Sequence, residues 1–203
     1  MTVQPQTSQV ADSEAIVANA ARAFLTPNAA RPDGPTITAA LLNLERCAKQ
    51  ERLSLPAVSL LGTWRLCFSA GKKAKLRSGQ PIGSGFYVPK LAIAQIAFAT
   101  DDTGENQLKV TNKLSIGPLT IRFTGPARYL GKKNLLAFDF THLQVSCFGL
   151  TVYQGKVQNK KRADQPFESI AIAQLPFFAF FSATDDYIAA RGRGGGLAIW
   201  VKA

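Results

Sequence analysis

Leu60-Leu61-Gly62-Thr63-Trp64 and Asp185-Asp186-Tyr187-Ile188-Ala189-Ala190-Arg191-Gly192 bracket a stretch of the chain in which apolar and polar residues alternate. The apolar residues occupy every second position of several short runs, for example Leu119, Ile121 and Phe123. Because successive side chains of a β-strand point to opposite faces, a period of two predicts antiparallel strands with one buried face. The sequence therefore predicts a mainly β protein whose first strand opens at Gly62 and whose last strand runs through Trp200.

The chain before this stretch has a helical periodicity instead. Apolar residues recur at helical spacing in two groups, which are Ile16, Val17, Ala20 and Phe24, and Ile37, Leu41, Leu44 and Ala48. Residues rich in Pro, Asn and Gly lie between the groups and predict a turn. We expect a helical lead-in of two helices over residues 1–56, and over residues 57–203 an antiparallel up-and-down barrel of about eight to ten strands, which together form one structural domain.

Charge and composition narrow the classes of partner. The net charge is +11 and the pI is about 9.9, which predicts attraction to polyanions such as nucleic acid or an anionic membrane surface. The N-terminal residues carry no secretory signal, and Asp12 and Glu14 argue against a plastid transit peptide. Cys47, Cys67 and Cys147 are widely spaced, which favours a reducing compartment over a disulfide framework or a zinc site.

No set of residues with the spacing of a catalytic site is evident in the sequence. His142 is the only histidine, and Asp139, three residues away on a predicted strand, would point to the opposite face. The run Gly192-Arg193-Gly194-Gly195-Gly196 precedes a strand, whereas a dinucleotide-binding loop precedes a helix, so we interpret it as a hairpin turn. We expect no catalytic residues, no metal site and no cofactor.

The segment from Leu175 to Phe181 is unusually rich in phenylalanine. Packing in the core is the favoured explanation, and insertion into lipid is the alternative. The alternative makes two groups of residues candidate membrane contacts, namely Phe177, Phe178, Phe180 and Phe181, and the basic residues Lys72, Lys73, Lys75 and Arg77.

Both bracketing motifs resemble signatures of a known family. Leu60-Leu61-Gly62-x-Trp64-x-Leu66-x-Phe68-Ser69 is similar to the opening of the plastid lipid-associated proteins, also called fibrillins or plastoglobulins, and Asp186-Tyr187, Arg191-Gly192 and the residues up to Lys202 are similar to their ending. The resemblance covers about residues 60–203 and implies a lipocalin-like (calycin) barrel in which the last strand returns beside the first. It also implies a protein peripheral to thylakoids or plastoglobules. The protein would be either a cyanobacterial-type member on the cytoplasmic side of the thylakoid membrane or the mature form of a plastid member.

The same resemblance implies roles for the motif residues. In lipocalins a tryptophan plugs the closed end of the barrel, so Trp64 would do so here, with Arg191 lying across its indole ring. Asp186 and Tyr187 would order the nearby turn. Together with Gly62 and Gly192, these residues would form a structural motif and not a catalytic one. Candidate contacts to a bound ligand are the phenylalanines expected to point inward, which are Phe86, Phe98, Phe123, Phe138, Phe140 and Phe148.

The function expected from the resemblance is non-enzymatic. The barrel would bind or organise apolar lipids, quinones or carotenoids, in photoprotection and prenylquinone metabolism, and its partners would be this ligand, an anionic membrane surface and a prenyl-lipid biosynthetic enzyme. One alternative is a calycin-type chaperone or lyase that carries a bilin to antenna proteins, which needs polar and acidic groups in the cavity. Another is an RNA-binding barrel driven by the positive charge, which needs exposed aromatic residues among Lys and Arg; no nucleic acid is expected as a partner.

Overall fold

Two helices precede a sheet of antiparallel strands in a computed structural model that describes residues 4–100, 108–157 and 165–203. The helices are α1 (Gln4–Leu25) and α2 (Gly34–Gln50). The strands of the main sheet are β1 (Gly62–Ala70), β4 (Gly85–Tyr87), β5 (Ala92–Thr100), β6 (Leu108–Ile116), β7 (Leu119–Leu130), β8 (Leu135–Phe138), β9 (His142–Cys147), β10 (Leu150–Lys156), β11 (Phe177–Ala183), β12 (Tyr187–Gly192) and β13 (Leu197–Lys202). A separate small hairpin consists of β2 (Lys75–Arg77) and β3 (Gln80–Ile82).

Eight of these strands close into a barrel. The order is β7-β6-β5-β1-β13-β12-β11-β8, and β8 pairs again with β7. The last strand lies beside the first, with Trp64 opposite Lys202 and Ala70 opposite Leu197. The predicted lipocalin-like, mainly β barrel with two N-terminal helices is therefore confirmed.

The sheet divides at the middle of β7. The second part of β7, from Ala127 to Leu130, pairs with β8 and closes the barrel, whereas the first part, from Leu119 to Thr124, pairs with β9. Gly125 lies at the division, where a Cβ atom would collide with the carbonyl oxygen of Asp139, so only glycine fits. The β9–β10 hairpin consequently extends the barrel wall sideways as a flap.

The two helices cover one outer side of the barrel. Asp33 caps α2 by accepting a hydrogen bond from the backbone of Thr36 at 2.7 Å. Apolar side chains of both helices are buried against outward-facing side chains of β1, β12 and β13; they include Val17, Ala20, Phe24, Ile37 and Leu41 on the helices and Ala189, Ile199 and Val201 on the strands. This packing agrees with the apolar faces predicted from the sequence.

The linker between α2 and β1 is fixed to the barrel by a buried asparagine. The side chain of Asn134 accepts from the backbone of Leu55 at 2.9 Å and donates to the carbonyl of Leu53 at 2.6 Å. The hydroxyl of Tyr129 donates to the carbonyl of Leu55 at 2.8 Å. Asn134 has a positive φ of 47°, which asparagine tolerates better than most residues.

We expect Asn134→Ala to lower the free energy of unfolding by about 2 kcal/mol, because it leaves buried backbone groups unpaired. Asn134→Gly keeps the left-handed backbone and isolates the contribution of the amide. Lys133→Ala, an exposed neighbour, is the control and should change stability by less than about 0.5 kcal/mol. Urea denaturation measures all three, and equal stabilities of Asn134→Gly and Lys133→Ala would contradict the role of the amide.

Candidate ligand-binding site

Trp64 fills one end of the barrel. Its side chain is buried, and its indole Nε1 donates to the carbonyl of Leu60 at 2.8 Å. The cation over the indole is Lys202, whose Nζ lies 4.2 Å from the ring centroid and donates to the carbonyl of Leu61 at 3.0 Å. Gly62 has a φ of +115°, and a Cβ atom there would lie 2.6 Å from this Nζ, so the glycine of the opening motif makes room for the lysine.

The expectation that Arg191 lies across Trp64 is wrong. Strand β12 starts near the closed end, where Tyr187 is opposite Val201, and carries Arg191 to the other end of β13, opposite Leu197. There Arg191 faces outward and donates from Nε and Nη2 to the two carboxylate oxygens of Glu45 at 2.8 and 2.6 Å. Arg191 therefore fastens α2 to the barrel.

The turn of the closing motif is ordered mainly by a threonine. The hydroxyl oxygen of Thr184 accepts from the backbone of Asp186 at 3.3 Å and of Tyr187 at 3.1 Å. The carbonyl of Asp186 accepts from the backbone of Lys202 at 2.9 Å, which ties the turn to the last strand. Tyr187 itself is buried under the helices, and Gly192 lies at the opposite end of β12.

Aromatic side chains fill much of the barrel interior. The predicted ligand contacts Phe98 and Phe138 are buried there, and Phe123 and Phe140 lie beside them with ring centroids 5.4 Å apart. Rings in contact connect Phe140 through Phe138 and Phe178 to Trp200. Four of the six predicted phenylalanines thus lie together.

The prediction that the other two phenylalanines point inward is wrong. Phe86 is 64% exposed, because the neighbouring Tyr87 is the residue of β4 that packs on the core, edge to face with Phe68. Phe148 is 83% exposed, because it occupies the turn between β9 and β10 with a φ of 50°. Alternation in the sequence does not show which side of a short strand or turn is covered.

The phenylalanine-rich segment is strand β11, so its proposed contact with lipid is wrong. Phe178 and Phe180 pack in the barrel interior. Phe177 packs outside against Leu175 and Ile170, and Phe181 packs beneath the helices. Successive side chains of a strand point to opposite faces, so consecutive phenylalanines are buried on different sides, and a β-bulge after Phe180 shifts the alternation for the rest of the strand. The structure therefore supports core packing, which is the explanation that the sequence favours.

The basic candidates for membrane contact lie in the connection after β1. Lys72, Lys73, Lys75 and Arg77 are exposed, and Lys72 borders Gly195 in the turn between β12 and β13. This turn lies at the end of the barrel opposite Trp64, since β1 runs from Trp64 towards Ala70.

The end of the barrel opposite Trp64 contains an open cavity of about 300 Å³. Its wall is largely apolar and includes Leu66, Ala94, Ile96, Phe178 and Trp200. Asn112 and Ser69 add an amide and a hydroxyl, which can hydrogen-bond a polar group of a ligand. A small eight-stranded barrel can hold one small ligand when part of its interior is unfilled.

The cavity continues onto an apolar trough, which is the inward face of the sheet formed by β5, β6, β7 and β9. Strand pairing puts on this face Ala92, Ala94, Leu114, Ile116, Leu119, Ile121, Phe123, Leu143, Val145 and Cys147. Leu114 is 40% exposed and Ile116 is 55% exposed. The other face of the same strands is mostly polar, with Lys113, Ser115, Thr120, Arg122, Gln144 and Ser146. The alternation is visible in the sequence, but no sequence signal shows that the described residues leave the apolar face uncovered.

Among the described residues, reactive side chains do not converge on this site. His142 is exposed at the start of β9, where its Nδ1 lies 2.9 Å from the hydroxyl of Thr141. Burial raises the pKa of the Cys67 thiol to about 12, so this cysteine is a poor nucleophile. In the part of the chain that the structure describes, no group of three His, Cys, Asp or Glu residues is placed to hold a metal ion. None of the described helices is both long enough and apolar enough to cross a bilayer.

No protein-family model and no curated protein matches this chain.

Proposed function

We propose that this protein is a non-enzymatic barrel that binds a lipid or isoprenoid of the quinone or carotenoid class at the periphery of a photosynthetic membrane. The observation that carries the proposal is the uncovered apolar trough that leads into the cavity beside Trp200. The resemblance of the opening and closing motifs adds the photosynthetic membrane and a role in photoprotection and prenylquinone metabolism.

The sizes of cavity and trough favour a ligand with a ring and an apolar tail. A cavity of about 300 Å³ lies at the lower end of the range for small-molecule sites, so it accommodates a ring but not a long chain. The ring would lie against Trp200 and Phe178, with the Asn112 amide available to a carbonyl oxygen. The tail would cover Leu114, Ile121 and other trough residues, and removing this apolar surface from water is the driving force for binding.

The apolar character of the site supports this function over the two alternatives. A bilin needs acidic or other polar partners for its pyrrole nitrogens, and the described wall of cavity and trough contains no carboxylate. An RNA-binding sheet stacks bases on aromatic rings. The exposed positions of the trough are instead mainly Leu and Ile, and the exposed ring of Tyr153 on the same face of β10 is a single ring rather than a row of stacking platforms.

Fluorescence quenching by a short-chain prenylquinone tests the proposal, because the two tryptophans lie at different distances from the cavity. Trp200 lines the cavity, whereas Trp64 fills the closed end. We expect saturable quenching of the delipidated protein, and because Trp200 is nearer to the ligand, Trp200→Phe should lose more of this quenching than Trp64→Phe does. Absence of saturable quenching, or equal quenching of both variants, would contradict binding in the cavity.

A further inference from the structure

Apolar side chains project from the open end of the molecule at three neighbouring turns. Leu91 is 86% exposed just before β5, Ile116 and Leu119 flank the β6–β7 turn at 55% and 41%, and Phe148 and Leu150 flank the β9–β10 turn at 83% and 74%. We call these five residues the apolar tip. They adjoin one another, because Ala92 is opposite Ile116, Leu119 is opposite Cys147, and the backbone of Phe148 donates to the carbonyl of Pro118 at 3.0 Å.

Phe148 has a strained backbone conformation in the apolar tip. Its φ is 50°, a left-handed conformation that is uncommon for a bulky residue and that asparagine or glycine adopts more readily at this position of a hairpin. A residue that is both strained and exposed is not explained by packing. Such residues concentrate at functional sites.

The charges around the tip are almost all positive. Lys90 adjoins Leu91, and Lys113 and Arg122 are cross-strand neighbours on the outer face of β6 and β7, each three residues from the β6–β7 turn. In the described residues of 85–100 and 108–157, Asp139 is the only carboxylate. An apolar projection surrounded by cations is complementary to the surface of an anionic bilayer, in which headgroups attract the cations and the interface accepts the apolar side chains.

We propose that the apolar tip inserts into the interface of an anionic bilayer and places the mouth of the trough against the membrane. Ile116 and Leu119 belong to both tip and trough, so an apolar ligand would pass from the bilayer along the trough to the cavity without crossing water. This inference rests on the proposed function for the nature of the cargo. A bilayer fits better than a second copy of the chain, because two copies joined at their tips would bring Lys90, Lys113 and Arg122 close to their own equivalents.

Flotation with vesicles tests the docking. The variant Phe148→Asn with Leu150→Ser removes the two most exposed hairpin residues, and an asparagine before Gly149 would favour the same tight turn, so the fold is retained. Val58→Ser is the matched control, because Val58 is 70% exposed but precedes β1 at the closed end. The wild type and Val58→Ser should bind vesicles containing phosphatidylglycerol more strongly than vesicles of phosphatidylcholine alone, and the tip variant should bind at least about tenfold more weakly.

Further outcomes separate this inference from the proposed function. Quenching of Trp200 by the short-chain quinone, measured without vesicles, should be the same in the tip variant as in the wild type. Vesicle binding by the tip variant at the wild-type level overturns docking through the tip, and so does tip-dependent dimerisation in sedimentation without a loss of vesicle binding. Quenching without any vesicle binding leaves the proposed ligand binding intact and overturns the docking. Tip-dependent vesicle binding without quenching overturns the transfer route and the proposed function together.

Discussion

Replacing Glu45 by Leu is expected to lower the free energy of unfolding by about 3 kcal/mol, because it leaves one member of a largely buried ion pair without its partner. Glu45 on α2 has 9% of its side chain exposed, and Arg191 on β12 has 23% exposed. Since Arg191 keeps some contact with water, the cost should lie near the lower end of that for fully buried pairs. Urea denaturation followed by circular dichroism measures the change.

Two further variants separate the ion pair from a general effect of charge. Lys49 also contacts Glu45, at 2.7 Å, but is 72% exposed, so Lys49→Ala should change stability by less than about 1 kcal/mol. The double variant Glu45→Leu with Arg191→Leu should recover much of the loss, because it leaves no unpaired charge in the interface. If Lys49→Ala costs as much as Glu45→Leu, the attachment of α2 does not depend on Arg191.

The contribution of Glu45 should also depend on pH. Burial alone would raise the pKa of this carboxyl group, but hydrogen bonds and charges from Arg191 and Lys49 outweigh burial and hold the pKa below its ordinary value of 4.5. A group whose pKa is lowered by folding stabilises the protein fully above its unfolded pKa, and this stabilisation is lost as the pH falls through the folded pKa. The difference in stability between the wild type and Glu45→Leu should therefore shrink below about pH 4.5.

The barrel could be predicted from the sequence because local patterns specify it. The period of two in runs such as Leu119, Ile121 and Phe123 predicts strands, and the helical spacing around Leu41 predicts α2. The contact between Glu45 and Arg191 joins residues 146 positions apart, and neither residue carries a local signal for the other. The expected position of Arg191 therefore rests on a resemblance alone, and the structure assigns the contact with Trp64 to Lys202 instead.

The candidate site could be predicted only in part, for a related reason. Alternation identifies two faces of a strand but does not say what covers each face. Alternation correctly groups Phe98, Phe123, Phe138 and Phe140. The exposure of the Phe148 side chain instead depends on a left-handed turn conformation that phenylalanine does not favour. The trough is uncovered because β7 changes partner at Gly125, and this division of the sheet depends on contacts distant in sequence.

Ala94→Phe is expected to weaken quinone binding by about a hundredfold, because it removes the space into which the ring would fit. Ala94 is a half-buried residue in the wall of the cavity, and the cavity of about 300 Å³ can contain the added ring without displacing the core. The ligand would then lose the apolar burial of its ring, which is worth about 2–3 kcal/mol for a group the size of a phenylalanine side chain. Titration of Trp200 fluorescence gives the change in Kd.

Ala99→Phe is the matched control for this prediction. It makes the same substitution on the same strand, but Ala99 is exposed and faces outward, opposite Lys109. Its Kd should equal that of the wild type, and both variants should keep the wild-type thermal unfolding temperature within a few degrees, since neither replaces a core contact. If Ala94→Phe binds the quinone as tightly as Ala99→Phe does, the ligand lies outside the cavity and the trough alone must hold it.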